Sequence, residues 1–301
     1  MSPAFAVGLW RLADPKVTLA SMASLFLGTC AAASDGPLAW GWLGATVGGI
    51  FLLEVAKNAS GEVVDFDSGD DLAVAPEDRT PFSGGKRVLV DGLLSRRETI
   101  LVSAAAYAGG AAIGLWIALA REPGVLGLGL AGVLLAYGYH GAPLRLSYRG
   151  LGEAAVAVSY GPLIGGGAYL VQRGELPWRV LLLLAPLGLL VASFLWINEF
   201  PDYHADRLAG KRTLVVRLGR PAAARAFAGL VAAALLAGLA LSCAGFAPSA
   251  SFGSVFAAGP AFLAAQQLLA HPLDTRQVIP AQTLTLAAFV AFALGAGLGL
   301  L

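Results

Sequence analysis

Two acidic stretches carry the residues with chemistry to offer. The first runs Lys57-Asn58-Ala59-Ser60-Gly61-Glu62-Val63-Val64-Asp65-Phe66-Asp67-Ser68-Gly69-Asp70-Asp71. Asn58, Glu62 and Asp65 stand at i, i+4 and i+7, so a helix presents all three on one face. The second, Asn198-Glu199-Phe200-Pro201-Asp202-Tyr203-His204-Ala205-Asp206, repeats the E-x-x-D spacing in register. Carboxylates at helical spacing, facing each other, suit hard divalent cations. Mg²⁺ takes only one or two protein carboxylates per ion and fills its shell with water and phosphate oxygens. Two such clusters can hold two or three ions around one diphosphate. Basic residues follow each cluster, Arg79 after the first, Lys211 and Arg212 after the second. Both signs together suit metal plus phosphate better than either alone. A metal-bound diphosphate is a good leaving group, because negative charge grows on it as its bond to carbon breaks.

The plainer alternative is that these acids only solvate two loops. Glu77, Asp78 and Asp91 read that way, and Asp67 and Asp70 fit either role. Asn58, Asp65, Asn198, Asp202 and Asp206 do not, because their spacing recurs in a chain that otherwise avoids charge. A carboxylate row at the end of a membrane helix is costly, so a cationic partner is expected beside it.

The elements that must position these residues are apolar helices. Hydrophobic residues make up 57% of the 301 and charged ones 13%, against about 25% charged in soluble domains. The chain reads as an all-α, polytopic membrane protein. A span needs roughly 20 apolar residues. Nine are expected, near 17–34, 38–58, 98–120, 124–141, 151–172, 178–199, 222–245, 252–270 and 278–300. With the N-terminus inside, every Lys and Arg except Arg121, Arg173 and Arg179 falls on the inner side. That bias places both acidic motifs at the cytoplasmic face of a plasma (inner) membrane. Four spans then separate the motifs, an even number that lets them meet. Two polar loops, 59–97 and 200–221, hold the candidate site within a single domain, 1–301. No basic tract suggests nucleic acid, and Met1 to Lys16 lacks the order of a cleaved signal peptide. Cys30 and Cys243 show no metal spacing and read as small apolar filler.

These motifs resemble the UbiA superfamily of intramembrane prenyltransferases, whose Asp-rich motifs take the form N-D-x-x-D-x-x-x-D after the second and sixth of nine helices. The second stretch, from Asn198 through Asp202 and Asp206 to Gly210-Lys211-Arg212-Thr213-Leu214, matches closely. The first departs: Gly61 stands where Asn is usual, Glu62 replaces Asp, and Gly69 lies four beyond Asp65. Asn58 can supply the amide instead, and Asp67, Asp70 or Asp71 the third carboxylate. Tyr139 to Glu153, Gly161-Pro162-Leu163 and Ala168 to Gly174 are similar to the menaquinone branch, the 1,4-dihydroxy-2-naphthoate polyprenyltransferases.

The resemblance implies a mechanism. Asn58, Glu62, Asp65, Asp71, Asn198, Asp202 and Asp206 hold Mg²⁺ on a polyprenyl diphosphate. Arg79, Lys211, Arg212 and Lys57 hold phosphate oxygens. Ionisation leaves an allylic cation that an aromatic acceptor attacks. In the naphthoate case the ring carboxyl leaves as CO₂, giving a demethylmenaquinol. Tyr139 and Tyr160, with Phe194, Trp196 and Tyr203, are candidates for the cation's aromatic lining. Packing is the competing role for each except Tyr139, which lies in a matching motif. Arg145 can pair with the acceptor's carboxylate, and Glu153 can act as a base or as a partner of Arg145 or Arg149. His140 and His204 lie near the motifs and read most simply as hydrogen-bonded. Related enzymes prenylate 4-hydroxybenzoate, homogentisate, haem or chlorophyllide. Intramembrane carboxylates also suit a cation transporter, and the departures at Gly61 and Glu62 suit a non-catalytic scaffold. Tail length and oligomeric state leave no mark in the residues.

Overall fold

The computed structural model describes residues 3–301. Fourteen helices follow one another: α1 (Pro3–Ala13), α2 (Pro15–Ser34), α3 (Trp40–Ser68), α4 (Asp70–Ala73), α5 (Arg96–Ala120), α6 (Val125–His140), α7 (Gly152–Val158), α8 (Ile164–Arg173), α9 (Trp178–Asn198), α10 (Tyr203–Leu208), α11 (Leu214–Leu218), α12 (Arg220–Cys243), α13 (Ala250–Ala270) and α14 (Thr275–Leu298). No strand occurs among the described residues, so the protein is all-α. A π turn, Ser159–Leu163, joins α7 to α8, and Gly152–Arg173 runs as one span.

Among the described residues, seven helical segments are long and apolar enough to cross a membrane: α2, α5, the α7–α8 unit, α9, α12, α13 and α14. Two further spans were expected. The one at 38–58 folds as α3, which carries Glu54, Lys57, Glu62 and Asp65 along its length. The one at 124–141 folds as α6, only 16 residues long.

The most buried of these helices is α9. Leu184, Leu187, Leu190 and Ile197 on it are fully or almost fully covered, by α2, α7, α12 and α14. Small residues allow the closest crossings, as expected where helices pack without a hydrophobic drive between them. A Cβ on Gly28 would lie 2.1 Å from the Gly165 carbonyl oxygen, so α2 and α8 meet backbone to backbone. Large apolar side chains point outward from α5 and α13, among them Leu119, Trp116, Val255 and Phe262, as a lipid-facing surface requires.

Arg121, Arg173 and Arg179, the exceptions to the basic bias, tie one end of the bundle together. Arg121 donates to the carbonyls of Val171 and Gln172, and Arg173 to that of Gly36. Arg179 pairs with Asp35 at 2.8 Å. The acidic motifs lie at the other end, the first in the last turns of α3 and in α4, the second from the end of α9 into α10. There the stretch between α4 and α5 folds back over the helix ends. Glu62 accepts from the Leu89 backbone N–H, Thr275 donates to Asp78, and Gln282 donates to Ser83.

Candidate active site

Both acidic motifs open into one cavity of about 920 Å³, which runs from the helix ends into the bundle between α3, α6, α7 and α9. Asp65, near the end of α3, and Asp206, on α10, meet there through Lys211. The Lys211 ammonium lies 3.2 Å from Asp65 Oδ1 and 3.6 Å from Asp206 Oδ1, and it donates to Asp70 Oδ2. Gly210, at φ +74°, turns the chain back so that the Lys211 N–H bonds the Asp206 carbonyl at 2.7 Å. That left-handed turn favours glycine. Asp71 is covered by the loop at Gly85 (φ +75°), where a Cβ would stand 2.2 Å from Asp71 Oδ1.

Asn58, Glu62, Asn198 and Asp202 also line this cavity, as do Tyr139, Tyr160 and Phe194. Their side chains are not equally free. The Asn58 amide donates to the Leu12 carbonyl, leaving its oxygen. The Asn198 oxygen accepts from Gln282 at 3.0 Å. Glu62 is engaged by the Leu89 backbone. His140 lines the cavity too, with Nδ1 3.7 Å from Asp65 Oδ1.

Several expected residues lie elsewhere. Arg79 is exposed and turned outward by the 3₁₀ turn Pro76–Asp78, with its guanidinium on the Val74 carbonyl. Arg212 is exposed as well and does not reach the cavity. Arg145 stacks 3.8 Å above the Tyr148 ring and faces a separate recess beside Tyr137. Glu153 accepts from the Leu214 N–H at the start of α11, rather than pairing with Arg145 or Arg149. Trp196 packs in the core, and Tyr203 lies under Arg220. Lys57 points not to the acids but to Glu54 and Tyr160, at 2.7 and 2.6 Å. Conversely, Arg11, Lys16, Lys86 and Arg87 border the cavity. In the sequence alone they contribute only to the inner-side bias of basic residues. Their clustering on either side of the first motif was the available signal.

The electrostatics are those of crowded carboxylates. Burial pushes the Asp71 carboxyl up to about 8, with Asp65 and Glu62 adding to the shift. Burial also raises Asp206 to about 7 against the pull of Lys211. Asp202 is raised well above the usual carboxylate range by burial and by Asp206. Burial alone would lower the Lys211 ammonium, but Asp65, Asp206 and Asp70 outweigh it and hold the group raised. One ammonium does not neutralise this set. Asp70 Oδ1, Asp202 Oδ1 and Glu199 Oε2 are buried with no hydrogen-bond partner among the described residues. Such oxygens fit cations. No three His, Cys, Asp or Glu side chains among the described residues gather tightly enough to ligate an ion by themselves. The donor set therefore fits Mg²⁺ that completes its shell with water and phosphate oxygens, as this ion usually does.

Residues 21–279 match the UbiA prenyltransferase family. The chain is 30% identical over 218 residues to a 1,4-dihydroxy-2-naphthoate octaprenyltransferase of Haemophilus influenzae, covering 70% of this chain and 68% of that relative. Its fold is that of the apo structure of a UbiA homolog from Aeropyrum pernix K1, with a TM-score of 0.70 at 21% identity, covering 93% of this chain and 97% of that one. A UbiA homolog from Archaeoglobus fulgidus, solved bound to GPP and Mg²⁺, aligns with a TM-score of 0.58 at 15% identity, covering 96% of this chain and 99% of that one. With a family match across most of its length and this fold, the chain belongs to the UbiA prenyltransferase family.

Proposed function

We propose that the protein transfers a polyprenyl group from its diphosphate to an aromatic acceptor of the 1,4-dihydroxy-2-naphthoate type, with loss of the ring carboxyl as CO₂. One observation carries this reading: Lys211 draws the two acidic motifs together at the head of a cavity whose body is apolar. A diphosphate head and an isoprenoid tail need that combination. The naphthoate octaprenyltransferase relative favours this acceptor, and the GPP-bound neighbour favours a diphosphate donor.

Asp65, Asp71, Asp202 and Asp206, with the amide oxygens of Asn58 and Asn198, would hold Mg²⁺. When bound, Mg²⁺ neutralises charge on the departing diphosphate. Lys211 donates hydrogen bonds to diphosphate oxygens, a role expected to strengthen as charge develops there. Lys16 and Lys86 at the rim attract the anionic head. Tyr139 and Phe194 offer ring faces to an allylic cation. The apolar wall keeps water away, so that a ring carbon captures the cation. The head of the cavity faces the cytoplasm in the orientation that the basic residues favour, within the inner membrane. The single unit 1–301 carries the whole site.

Purified protein in liposomes, given Mg²⁺, a prenyl diphosphate and dihydroxynaphthoate, should release diphosphate and form a lipid quinol. Asp65→Ala and Asp202→Ala, folded, should reduce this to background. Wild-type turnover in either variant rejects the site. A panel of aromatic acceptors with one common prenyl diphosphate decides the acceptor.

A further inference from the structure

Deeper along the cavity wall stands an ion pair that the diphosphate end does not use. Glu54 and Lys57 lie one turn apart on α3, with Glu54 Oε2 2.7 Å from Lys57 Nζ. Lys57 also donates to the Tyr160 hydroxyl at 2.6 Å, and Ser21 of α2 donates to the other Glu54 oxygen. Glu54 is 5% exposed and Tyr160 6%. The Lys57 side chain is 20% exposed, and all three residues line the cavity. An ion pair among membrane helices is costly even when its partners satisfy each other. Apolar residues would pack this wall at lower cost, so the pair points to a ligand.

The hydrogen-bonding capacity of the pair says which ligand. An ammonium has three N–H groups. Two go to Glu54 and Tyr160, and the third has no partner among the described residues. Glu54 accepts from Lys57 and Ser21 and also neighbours the Tyr160 hydroxyl, and two carboxylate oxygens with about four lone-pair sites leave room for one more donor. The pair is neutral overall. A second carboxylate brought to Lys57 would meet Glu54 at close range and be repelled. A ring hydroxyl has no such conflict: its oxygen accepts from Lys57 and its hydrogen goes to Glu54.

The position fits as well. Lys57 and Asp65 are separated by about 12 Å of helix rise. A diphosphate seated on Lys211, with Mg²⁺ between it and Asp65, would have its prenyl chain in the apolar body of the cavity, where that gap lies. An aromatic ring bound by its hydroxyl to Lys57 fills the gap and can bring a carbon within the roughly 3–3.5 Å of an attack geometry. Resting on the prenyl-transfer reading above, we propose that Lys57, Glu54 and Tyr160 are the site for the acceptor's ring hydroxyl. Lys57 and Glu54 bind the hydroxyl, and Tyr160 fixes the ammonium.

The test uses purified protein in liposomes, one prenyl diphosphate, and two acceptors: a hydroxynaphthoate and its methyl ether. Both substituents activate the ring, so their ratio reports recognition. The wild type should prefer the hydroxyl acceptor by about 100-fold or more in kcat/KM, as sites built around a substrate hydroxyl do. Lys57→Met alone strands a buried carboxylate and can fail to fold, so Glu54→Gln/Lys57→Met removes both charges together. This double variant should lose about tenfold or more of the preference, with KM for the prenyl diphosphate unchanged. Tyr160→Phe should lose part of it. An unchanged preference in the double variant and in Tyr160→Phe overturns the proposal. So does a raised KM for prenyl diphosphate with the preference intact, which places Lys57 on the donor. Fluorescence-monitored binding of the hydroxynaphthoate separates the two readings. Binding that depends on Lys57 without any product formation rejects prenyl transfer to this acceptor and keeps the hydroxyl site. Binding and turnover both indifferent to the pair reject the hydroxyl site alone.

Discussion

The ammonium of Lys211 stands 3.2 Å from Asp65 Oδ1, across 146 residues of chain. The contact joins the end of α3 to the turn after α10, and it is where the two acidic motifs become one site. It also means that, before any ligand arrives, Asp65, Asp70 and Asp206 share the Lys211 ammonium as their directly contacting cation among the described residues.

Lys211→Met should therefore have two effects. It leaves Asp65, Asp70 and Asp206 facing one another, and breaking a buried pair from one side costs about 3–5 kcal/mol. The melting temperature should fall by several degrees. Millimolar Mg²⁺ should recover part of that fall, because a cation restores the lost neutralisation. Turnover should drop about 100-fold or more, the usual cost of removing one donor from developing charge. An unchanged melting curve in metal-free buffer would remove Lys211 from its structural role.

Gly61→Ala tests the departure of the first motif from its family pattern. A Cβ at position 61 would lie 2.8 Å from His140 Nε2. Alanine favours a helix by about 1 kcal/mol over glycine, but overpacking costs about 1–3 kcal/mol. The ring of His140, whose Nδ1 faces Asp65, must move. Lower stability and lower turnover are expected, and Gly61→Ala/His140→Ala should recover stability. Thermal melting of the four proteins of the cycle measures the coupling.

Much of this was legible in the chain. Hydropathy and the repeated E-x-x-D spacing are local properties, and they led to a helical membrane bundle with its acids at one end. Which motif side chains are free depends on where distant segments land. Glu62 shares a face with Asp65, yet the covering loop brings the Leu89 N–H to its carboxylate. Lys57 borders the motif, where the family resemblance implies a phosphate ligand. Its partners are Glu54, hidden in an apparently apolar span, and Tyr160, from another helix. Arg79 follows the first cluster in sequence, but one 3₁₀ turn sends it outward.

Cation binding should depend on pH in one direction. Asp206 lies near 7 and Asp71 near 8, both raised chiefly by burial. A raised carboxyl favours its neutral form, whereas a divalent cation binds the ionised one. Below about 7 both groups must lose protons for an ion to enter, and above about 8 neither must. Mg²⁺ affinity should thus rise with pH through this window and then level off. Calorimetry at neutral pH in two buffers of different ionisation enthalpy should detect about one proton released per ion. Constant affinity without proton release would show that these two carboxyls are not ligands.

Gly188→Ala reaches the site through the scaffold. A Cβ on Gly188 would stand 2.2 Å from the Ala157 carbonyl oxygen and 3.0 Å from the Gly161 Cα. These are backbone atoms, with no flexible side chain to give way. One precedes and one lies within the π turn Ser159–Leu163, which presents Tyr160 to Lys57 at 2.6 Å. Buried α9 is clamped by several helices, so the α7–α8 side should yield and carry Tyr160 off its partner. The expected result is a loss of about 1–3 kcal/mol in stability together with a raised KM for the acceptor. Gly229→Ala on α12 is the control: its Cβ would meet nothing within 4 Å, so it should be neutral or stabilising by up to about 1 kcal/mol. Equal behaviour of the two variants in thermal melts and acceptor titrations would mean that the tight crossing of α9 with the α7–α8 unit does not position Tyr160.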